Sequence, residues 1–437
     1  MQHSSIRQRS STTQLVTCLF GISLLLVAFN SLADRLTLQQ AEQIALTEEP
    51  GLIGQQWQSK AMIEQAIADG QHMDPRLQLG IVNLPTDTFD MNQEPVTQVL
   101  ISYQQQFPPG DTRFLKQQRA QKQAELIDSK LSNRSLTIVR DVRQIYLEIL
   151  YLEQAKKSII KNKRLFAQLV EIVQSLFSVG RNNQQDLIRA QLEHSRLDDR
   201  LTKIEQQINT QRSRLSRWIG TENSLKPFEP ELPYMPEVNL KTDFDSLSQH
   251  FINHPQVQEV DRQLELTRKD IQLVNESLKP GWGLTVSYGY REDAPNGTER
   301  ADFVSALVAI DLPLFTANRQ DKKRLSKEYE YQSLKSKRSE VIRQLVSELQ
   351  QEINNESLLQ QRLQLYSKLL LPQAKQQTQA SMLAYQSDKG RFSDVMRAYI
   401  DDLNANLDEH RIAVDIRQTK AKILYYVSEL HSSPGNQ

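Results

Sequence analysis

The chain has 437 residues, and its 53 Lys and Arg balance 53 Asp and Glu. That balance gives no electrostatic reason for a nucleic-acid partner or an anionic membrane surface. Its single cysteine, Cys18, excludes an internal disulfide and a thiolate metal cage, and 14 glycines among long Gln, Leu, Lys and Glu-rich stretches favour extended helices over several compact domains.

Residues 1–33 read as an export signal. Arg7 and Arg9 give a positive start, Leu15 to Phe29 form an apolar core, and Ser31-Leu32-Ala33 resembles a small-residue cleavage site. The apolar run is shorter than the ~20 residues of a spanning helix, so cleavage after Ala33 is expected. Cys18 lies inside the apolar core, badly placed for a lipidated N-terminus, and the mature chain then lacks cysteine.

A first structural repeat, 34–219, follows. An amphipathic helix is expected over 36–69, then strands over 76–84 and 97–107 separated by a polar loop at 85–96. Residues 113–178 contain no Gly or Pro, and Ile159, Phe166 and Val173 recur every seven residues beside Leu169 and Leu176. A helix of that length reaches about 100 Å. The returning helix carries Leu197, Leu201, Ile204, Ile208, Leu215 and Trp218 at alternating spacings of four and three, with Gln211 in the one polar slot, which is coiled-coil periodicity. Pro227, Pro230, Pro233 and Pro236 then mark 220–240 as a stiff, extended linker.

The second repeat, 241–431, has the same order. A helix is expected over 241–277, and strands over 282–290 and 304–312 flank a polar loop at 291–302. An outgoing helix at 319–386 is interrupted only at Pro372, a returning helix spans 393–430, and 432–437 are a tail. The halves are an internal duplication: Pro50, Pro75 and Pro108 return as Pro255, Pro280 and Pro313, each after 205 residues. Leu77, Leu79 and Ile81 map onto Trp282, Leu284 and Val286. At the hairpin tips the register slips, since Gly180 maps to Gly390 at 210 and Asp186 to Asp394 at 208.

The strands show period-two alternation. Trp282, Leu284, Val286, Tyr288 and Tyr290 share one face, the expected lipid face, and Gly283, Thr285, Ser287 and Gly289 the other. Strands of this length, with aromatic ends, suit an outer membrane. Four strands cannot close a membrane barrel, and an open edge cannot sit in lipid, so several chains are expected to share one barrel.

The opening Leu36-Thr37-Leu38-Gln39-Gln40-Ala41-Glu42-Gln43-Ile44-Ala45-Leu46 with Pro50 resembles the first helix of the TolC-like outer-membrane efflux proteins. Val179-Gly180-Arg181 through Asp186-Leu187-Ile188-Arg189-Ala190-Gln191, and Gly390-Arg391-Phe392-Ser393-Asp394-Val395-Met396-Arg397-Ala398, look like that family's two hairpin tips. Gln106-Phe107-Pro108-Pro109-Gly110-Asp111-Thr112-Arg113 is similar to the strand-to-helix motif of the heavy-metal-efflux branch, the Czc-like and Cus-like channels, although that branch more typically has a second glycine and a lysine where this chain has Asp111 and Thr112. The resemblance covers the whole mature chain.

The resemblance implies a mainly α fold with a small β part: a homotrimer with a 12-stranded transmembrane barrel over a periplasmic α-helical barrel. The implied function is the outer-membrane exit duct of a tripartite efflux system, served by a periplasmic adaptor and an RND-type inner-membrane pump and passing heavy-metal cations. It places Asp394 at the periplasmic aperture, where a threefold axis makes an acidic ring; Asp401, seven residues on, faces nearly the same way, beside Asp402. Arg397 stands where many relatives have a second acid, and is expected to pair with an aspartate of another helix. Gly180, Arg181, Asp186, Gly390 and Arg391 are the expected adaptor contacts. Ser393 or Asp394 has an ordinary use too, as helix cap, and both tip glycines as left-handed helix ends. No enzyme, cofactor or resident metal is expected: His250 and His254 have an i, i+4 spacing but no third ligand of comparable quality, and read as a surface pair. The alternatives are the channel of a type I protein secretion system, or a periplasmic coiled-coil adaptor or scaffold.

Overall fold

The computed structural model describes residues 35–180, 183–240 and 243–427. The expected signal, Arg181 and the C-terminal tail lie outside the described residues.

The expected first helix is two helices, α1 (Leu38–Glu48) and α2 (Pro50–Asp69). Thr37 and Gln40 form a reciprocal capping box on α1, and the Glu49 carboxylate accepts the Leu52 N–H at 2.7 Å to start α2. The repeated prolines restart helices: Pro50 opens α2 and Pro255 opens α6 (Pro255–Glu276), both at the position where a missing N–H costs nothing. A short α5 (Phe244–His250) and a single 3-10 turn precede α6.

The strands are β1 (Arg76–Val82), β2 (Gln98–Phe107), β3 (Gly281–Tyr290) and β4 (Phe303–Asp311), in one antiparallel sheet of order β1-β2-β3-β4. The central pair β2-β3 joins the two repeats, and β1 and β4 are the two edges. After β2, Gly110 adopts φ +50°, and the Asp111 N–H donates to Glu276 of α6 at 2.7 Å, so the first repeat's strand-to-helix turn is buttressed by the second repeat.

The hairpins are α3 (Thr112–Ser178) with α4 (Gln184–Leu225), and α7 (Gln320–Leu365) continued by α8 (Leu371–Gln386), with α9 (Phe392–Tyr426). The heptad residues bury as their spacing requires: Ile159, Phe166, Val173, Leu197, Ile208 and Leu215 are all buried. Near the tips α3, α4 and α9 share one core, and a larger core gathers α1, α3, α4 and α9 at mid-length. Pro372 does not simply break the outgoing helix. A π turn at 366–370 precedes it, in which the Leu371 N–H reaches the Tyr366 carbonyl.

The expected linker starts later than 220: α4 runs on to Leu225 past a non-helical Gly220 (φ +76°), and only the proline-rich segment after it is extended, where it is not a free spacer. Leu36 donates to the Pro227 carbonyl at 2.9 Å and accepts from Glu229 at 3.2 Å, and Phe228 packs edge-on against Tyr146 at 4.9 Å between centroids. Phe228 and Met235 are buried with the mid-length core. Apolar residues between the prolines supply that docking, and proline periodicity alone does not show it.

Candidate functional site: sheet face and hairpin tips

The register sets one whole face of the sheet. Ile101 stands between Leu79 and Tyr288, Tyr103 between Leu77 and Val286, and Val308 opposite Leu284. Leu77, Leu79, Ile81, Ile101, Tyr103, Trp282, Val286, Tyr288, Tyr290, Val304, Val308 and Ile310 are all exposed on this face, a continuous apolar surface far beyond scattered single residues. Leu284, expected on the same face, is half-buried. At one end of the sheet Phe107 stacks on Trp282 at 4.0 Å. The other face carries Gln78, Gly80, Gln104, Gln106, Gly283, Thr285, Ser287 and Ser305, with Val82, Leu100, Phe303, Leu307 and Ala309 as apolar exceptions. Among the described residues no helix is long and apolar enough to cross a membrane. The polar loops beyond the strands are tied together: Arg291 donates to the Pro95 carbonyl at 2.9 Å and Arg300 to that of Asn92 at 3.0 Å.

At the second tip, α9 presents Phe392, Val395, Met396 and Leu403 to the core, which turns Asp394, Arg397 and Asp401 to the other side. Asp394 is in the first turn, 3.4 Å from Arg391, in an exposed pair that holds little energy. Arg397 and Asp401 are exposed and have no ion pair or hydrogen bond among the described residues. Asp402 lies off this stripe and accepts from Asn406 at 3.3 Å. Burial, then the Asp402 charge, raises the Tyr399 pKa. Neither Ser393 nor Asp394 caps the helix. Arg391, two residues before Ser393, occupies the cap position without a side-chain bond.

The two tip glycines have different causes. Gly180 has φ +74°, the left-handed conformation expected of it. Gly390 does not; Asp388 takes the left-handed conformation at φ +55°, and Gly390 is needed for close approach, since a Cβ there would meet Ala384 Cβ and Tyr385 N at 3.0 Å. Asp186 sits in the first turn of α4. Thr378 locks α8 to α9 by donating to the Ala398 carbonyl at 3.0 Å.

His250 and His254 are not a surface pair. His254 is 2% exposed, and its Nδ1 accepts the Gln256 N–H at 3.2 Å to start α6 while Nε2 lies 3.3 Å from the Tyr425 carbonyl. Burial is the main force lowering its pKa to about 4; the Tyr425 carbonyl opposes this and His250 adds to it. Among the described residues no cluster of His, Cys, Asp or Glu is arranged to hold a metal ion.

Two polar nodes were not visible in the sequence. Arg143 of α3, 1% exposed, donates to both oxygens of Glu42 at 2.7 and 3.1 Å, pinning α1 to α3. Arg411 of α9 reaches Glu148 of α3 and Asp415, both at 2.6 Å, and lies over the Tyr151 ring. Burial opposes the Arg411 charge, but the two carboxylates outweigh it and raise its pKa. Beside it Gln144 and Gln418 exchange amide-to-carbonyl bonds at 2.6 and 3.2 Å. Nothing in helical periodicity marks these residues; packing of α1 on α3 within the first repeat makes the Arg143 node, and packing of α9 on α3 across the two repeats makes the Arg411 node.

No protein-family model matches the chain, and no curated protein matches it by sequence. Solved structures do match. The outer membrane protein VceC from Vibrio cholerae superposes with a TM-score of 0.72 at 15% identity, over 90% of this chain and 96% of that one. The CmeC outer membrane channel of Campylobacter jejuni gives 0.75 at 10% identity, over 90% and 85%. CusC, described through its transmembrane channel formation, gives 0.71 at 14% identity, over 89% and 91%. These near-equal scores select no branch, and what they establish is the architecture: the chain has the TolC-like fold of these outer-membrane channel proteins.

Proposed function

We propose that the chain is an outer-membrane exit duct of a tripartite efflux system, exported by cleavage after Ala33 and assembled as a homotrimer. The observation that carries this is the sheet: one continuous exposed apolar face, a mostly polar opposite face and two unpaired edges, mounted on hairpins whose outgoing arms reach about 100 Å. Such a sheet is stable in lipid only when its edges are closed by other chains. Three copies give twelve strands, enough for an aqueous lumen.

The helical hairpins then form the periplasmic tunnel, with Asp394, Arg397, Asp401 and Asp402 at its aperture and Gly180, Arg181, Asp186, Gly390 and Arg391 meeting the adaptor. The exposed, unpaired Arg397 and Asp401 suit contacts between copies. An RND-type pump and heavy-metal cations as cargo rest on the Pro108-Pro109-Gly110 motif and on a likeness to CusC no greater than that to other channels. A passive duct needs no cofactor and performs no bond chemistry.

Envelope fractionation followed by planar-bilayer recording tests the duct. Extraction only by detergent and stepwise conductance are expected; release by salt or carbonate overturns it in favour of a periplasmic scaffold. Gene deletion tests the cargo: lost metal tolerance supports the cation channel, and lost export of a secreted protein supports the secretion alternative.

A further inference from the structure

The two strand-to-helix turns of the duplicated unit differ in length and in chemistry. In the first repeat β2 ends at Phe107 and α3 begins at Thr112, and the turn between them, Pro108-Pro109-Gly110-Asp111, has no large apolar side chain. In the second, β4 ends at Asp311 and α7 begins at Gln320, so residues 312–319 make the same connection. This longer turn exposes Leu312, Leu314 and Phe315, the last at 89%. Backbone bonds hold it in shape: the Leu314 N–H donates to the Leu312 carbonyl at 2.9 Å, and the N–H groups of Arg319 and Asp321 both donate to the Thr316 carbonyl at 3.0 Å.

The turn begins where the apolar face of the sheet ends. Ile310 stands opposite Trp282, which stacks on Phe107, and the two-residue period puts Leu312 on the same face one step beyond. Positive charge follows directly. Asn318, Arg319, Lys322, Lys323 and Ser326 line a groove of about 440 Å³ shared with Val274 of α6. Lys327, which also lines it, is held by Asp270 and Glu330. Arg319, Lys322 and Lys323 are exposed and have no ion pair or side-chain hydrogen bond among the described residues. Glu328 is taken by Arg324 at 3.7 Å, so over 319–328 Asp321 is the one acid left against three free cations.

The first repeat has no such combination. Arg113 donates to the Gly70 carbonyl at 3.2 Å and Arg119 pairs with Asp270, which leaves Lys116 as the free cation in the opening turns of α3 among the described residues. The duplication therefore does not account for an ordered apolar turn joined to a cluster of unpaired cations; a ligand with an anionic head and an apolar tail does.

We propose that residues 312–326 form a binding site for an anionic glycerophospholipid, whose phosphate and second headgroup charge are taken by Arg319, Lys322 and Lys323 while Leu312, Leu314 and Phe315 lie against its acyl chains. The site rests on the barrel reading, which puts the Trp282 end of the apolar face at a membrane–water interface. Guanidinium and ammonium groups both bind phosphate oxygens, and their aliphatic stems let the charge reach the headgroup level while the turn stays in the apolar layer. Each cation at an anionic surface favours binding about fivefold, so three give on the order of a hundredfold, less the opposing effect of Asp321.

Full-length protein purified in detergent, incubated with equimolar phosphatidylglycerol and phosphatidylcholine and weighed by native mass spectrometry, tests the site. The anionic lipid is expected to be retained at least tenfold over the zwitterionic one. Lys322→Gln with Lys323→Gln should abolish that preference, Lys322→Arg with Lys323→Arg should keep it, and Phe315→Ala should lower retention of both lipids. Equal retention by the unaltered chain, or a preference that survives the Gln pair, overturns the site. Calorimetric binding of inorganic phosphate alone, lost in the Gln pair and without any lipid preference, identifies a free-phosphate site and overturns the lipid. Phe315→Ala that weakens the oligomer and leaves lipid retention unchanged assigns the turn to a second copy and overturns it too. Where the Gln pair does not assemble, Lys322→Gln or Lys323→Gln alone is expected to cost about fivefold in preference, and no change in either overturns the site. Release from the envelope without detergent removes the barrel and this site together; detergent extraction and conductance without a lipid preference remove the site alone.

Discussion

In the proposed barrel a one-residue step along β3 separates lipid from water. Val286 is near the middle of the strand, 41% exposed on the apolar face, flanked in register by Tyr103 and Ala306. Ser287 points the opposite way, between Ser102 and Ser305, where small neighbours leave room. Val286→Arg places a charge at mid-depth on the lipid face, at a cost of about 2–4 kcal/mol per chain. Each chain's folded-to-unfolded ratio then falls roughly a hundred-fold. Ser287→Arg leaves its guanidinium in water and is expected to cost under about 1 kcal/mol. The assay is urea unfolding in lipid vesicles, followed by heat modifiability on gels, with the amount of each variant in isolated outer membranes as a second readout. Equal loss for the two variants, or a greater loss for Ser287→Arg, would refute the assignment of faces and with it the barrel.

Arg143→Ala leaves Glu42 buried without its partner and is expected to lower stability by about 3–5 kcal/mol, read as an earlier urea midpoint, because a stranded buried charge costs more than the pair gains. His254 makes stability depend on pH. Its neutral ring caps α6, so the folded chain resists protonation down to about pH 4 while the unfolded chain takes the proton near 6.5. That contribution is complete above pH 6.5 and is lost as the pH falls towards 4, on the order of 3 kcal/mol. Unfolding midpoints between pH 7.5 and 4.5 should show it, and His254→Asn, which keeps a capping side chain, should flatten the slope; an unchanged slope removes the histidine from the account. Asp394→Ala is expected to lower cation selectivity in reversal-potential measurements, and unaltered selectivity would take Asp394 away from the aperture.

Legibility in the sequence followed periodicity. Alternation along β3 and β4 and the four-three spacing on α3 and α4 were readable because each reports one face of one element. Features that depend on two distant elements were not readable. His254 looked like half of a surface pair since its spacing to His250 is local, whereas its burial comes from Tyr425 on α9. Pro50 and Pro255 were visible as repeats, but their use as first helical residues depends on the cap before each, Glu49 held by Arg134 at 2.8 Å in one case and His254 in the other. At the tips, Gly180 and Gly390 occupy corresponding motif positions, yet one answers to a dihedral angle and the other to a neighbour's Cβ. The Arg411 node had no sequence signal at all.

The second hairpin departs from the first in one more respect. α3 runs 67 residues without a defect, but its counterpart is divided by the π turn at 366–370 and Pro372. Proline in a helix interior removes an N–H and crowds the carbonyl four residues earlier, a cost of about 3 kcal/mol that a local widening of the helix partly relieves. The turn is also where Tyr366 bonds Asp408 of α9 at 3.2 Å, so it faces the helix that carries Asp394, Arg397 and Asp401. A hairpin with such a defect, held to α9 there by the Tyr366 bond and by Tyr366 and Leu363 packing on Ile412 and Ile416, is expected to open at lower cost than α3 with α4. Pro372→Ala is therefore expected to restore regular helix, slow amide exchange at residues 366–372 at least tenfold, and lower the open fraction of single channels. If exchange slows while the open fraction stays the same, the defect is a packing accommodation to proline and the gate bends elsewhere; if exchange is unchanged, proline is not what widens the helix.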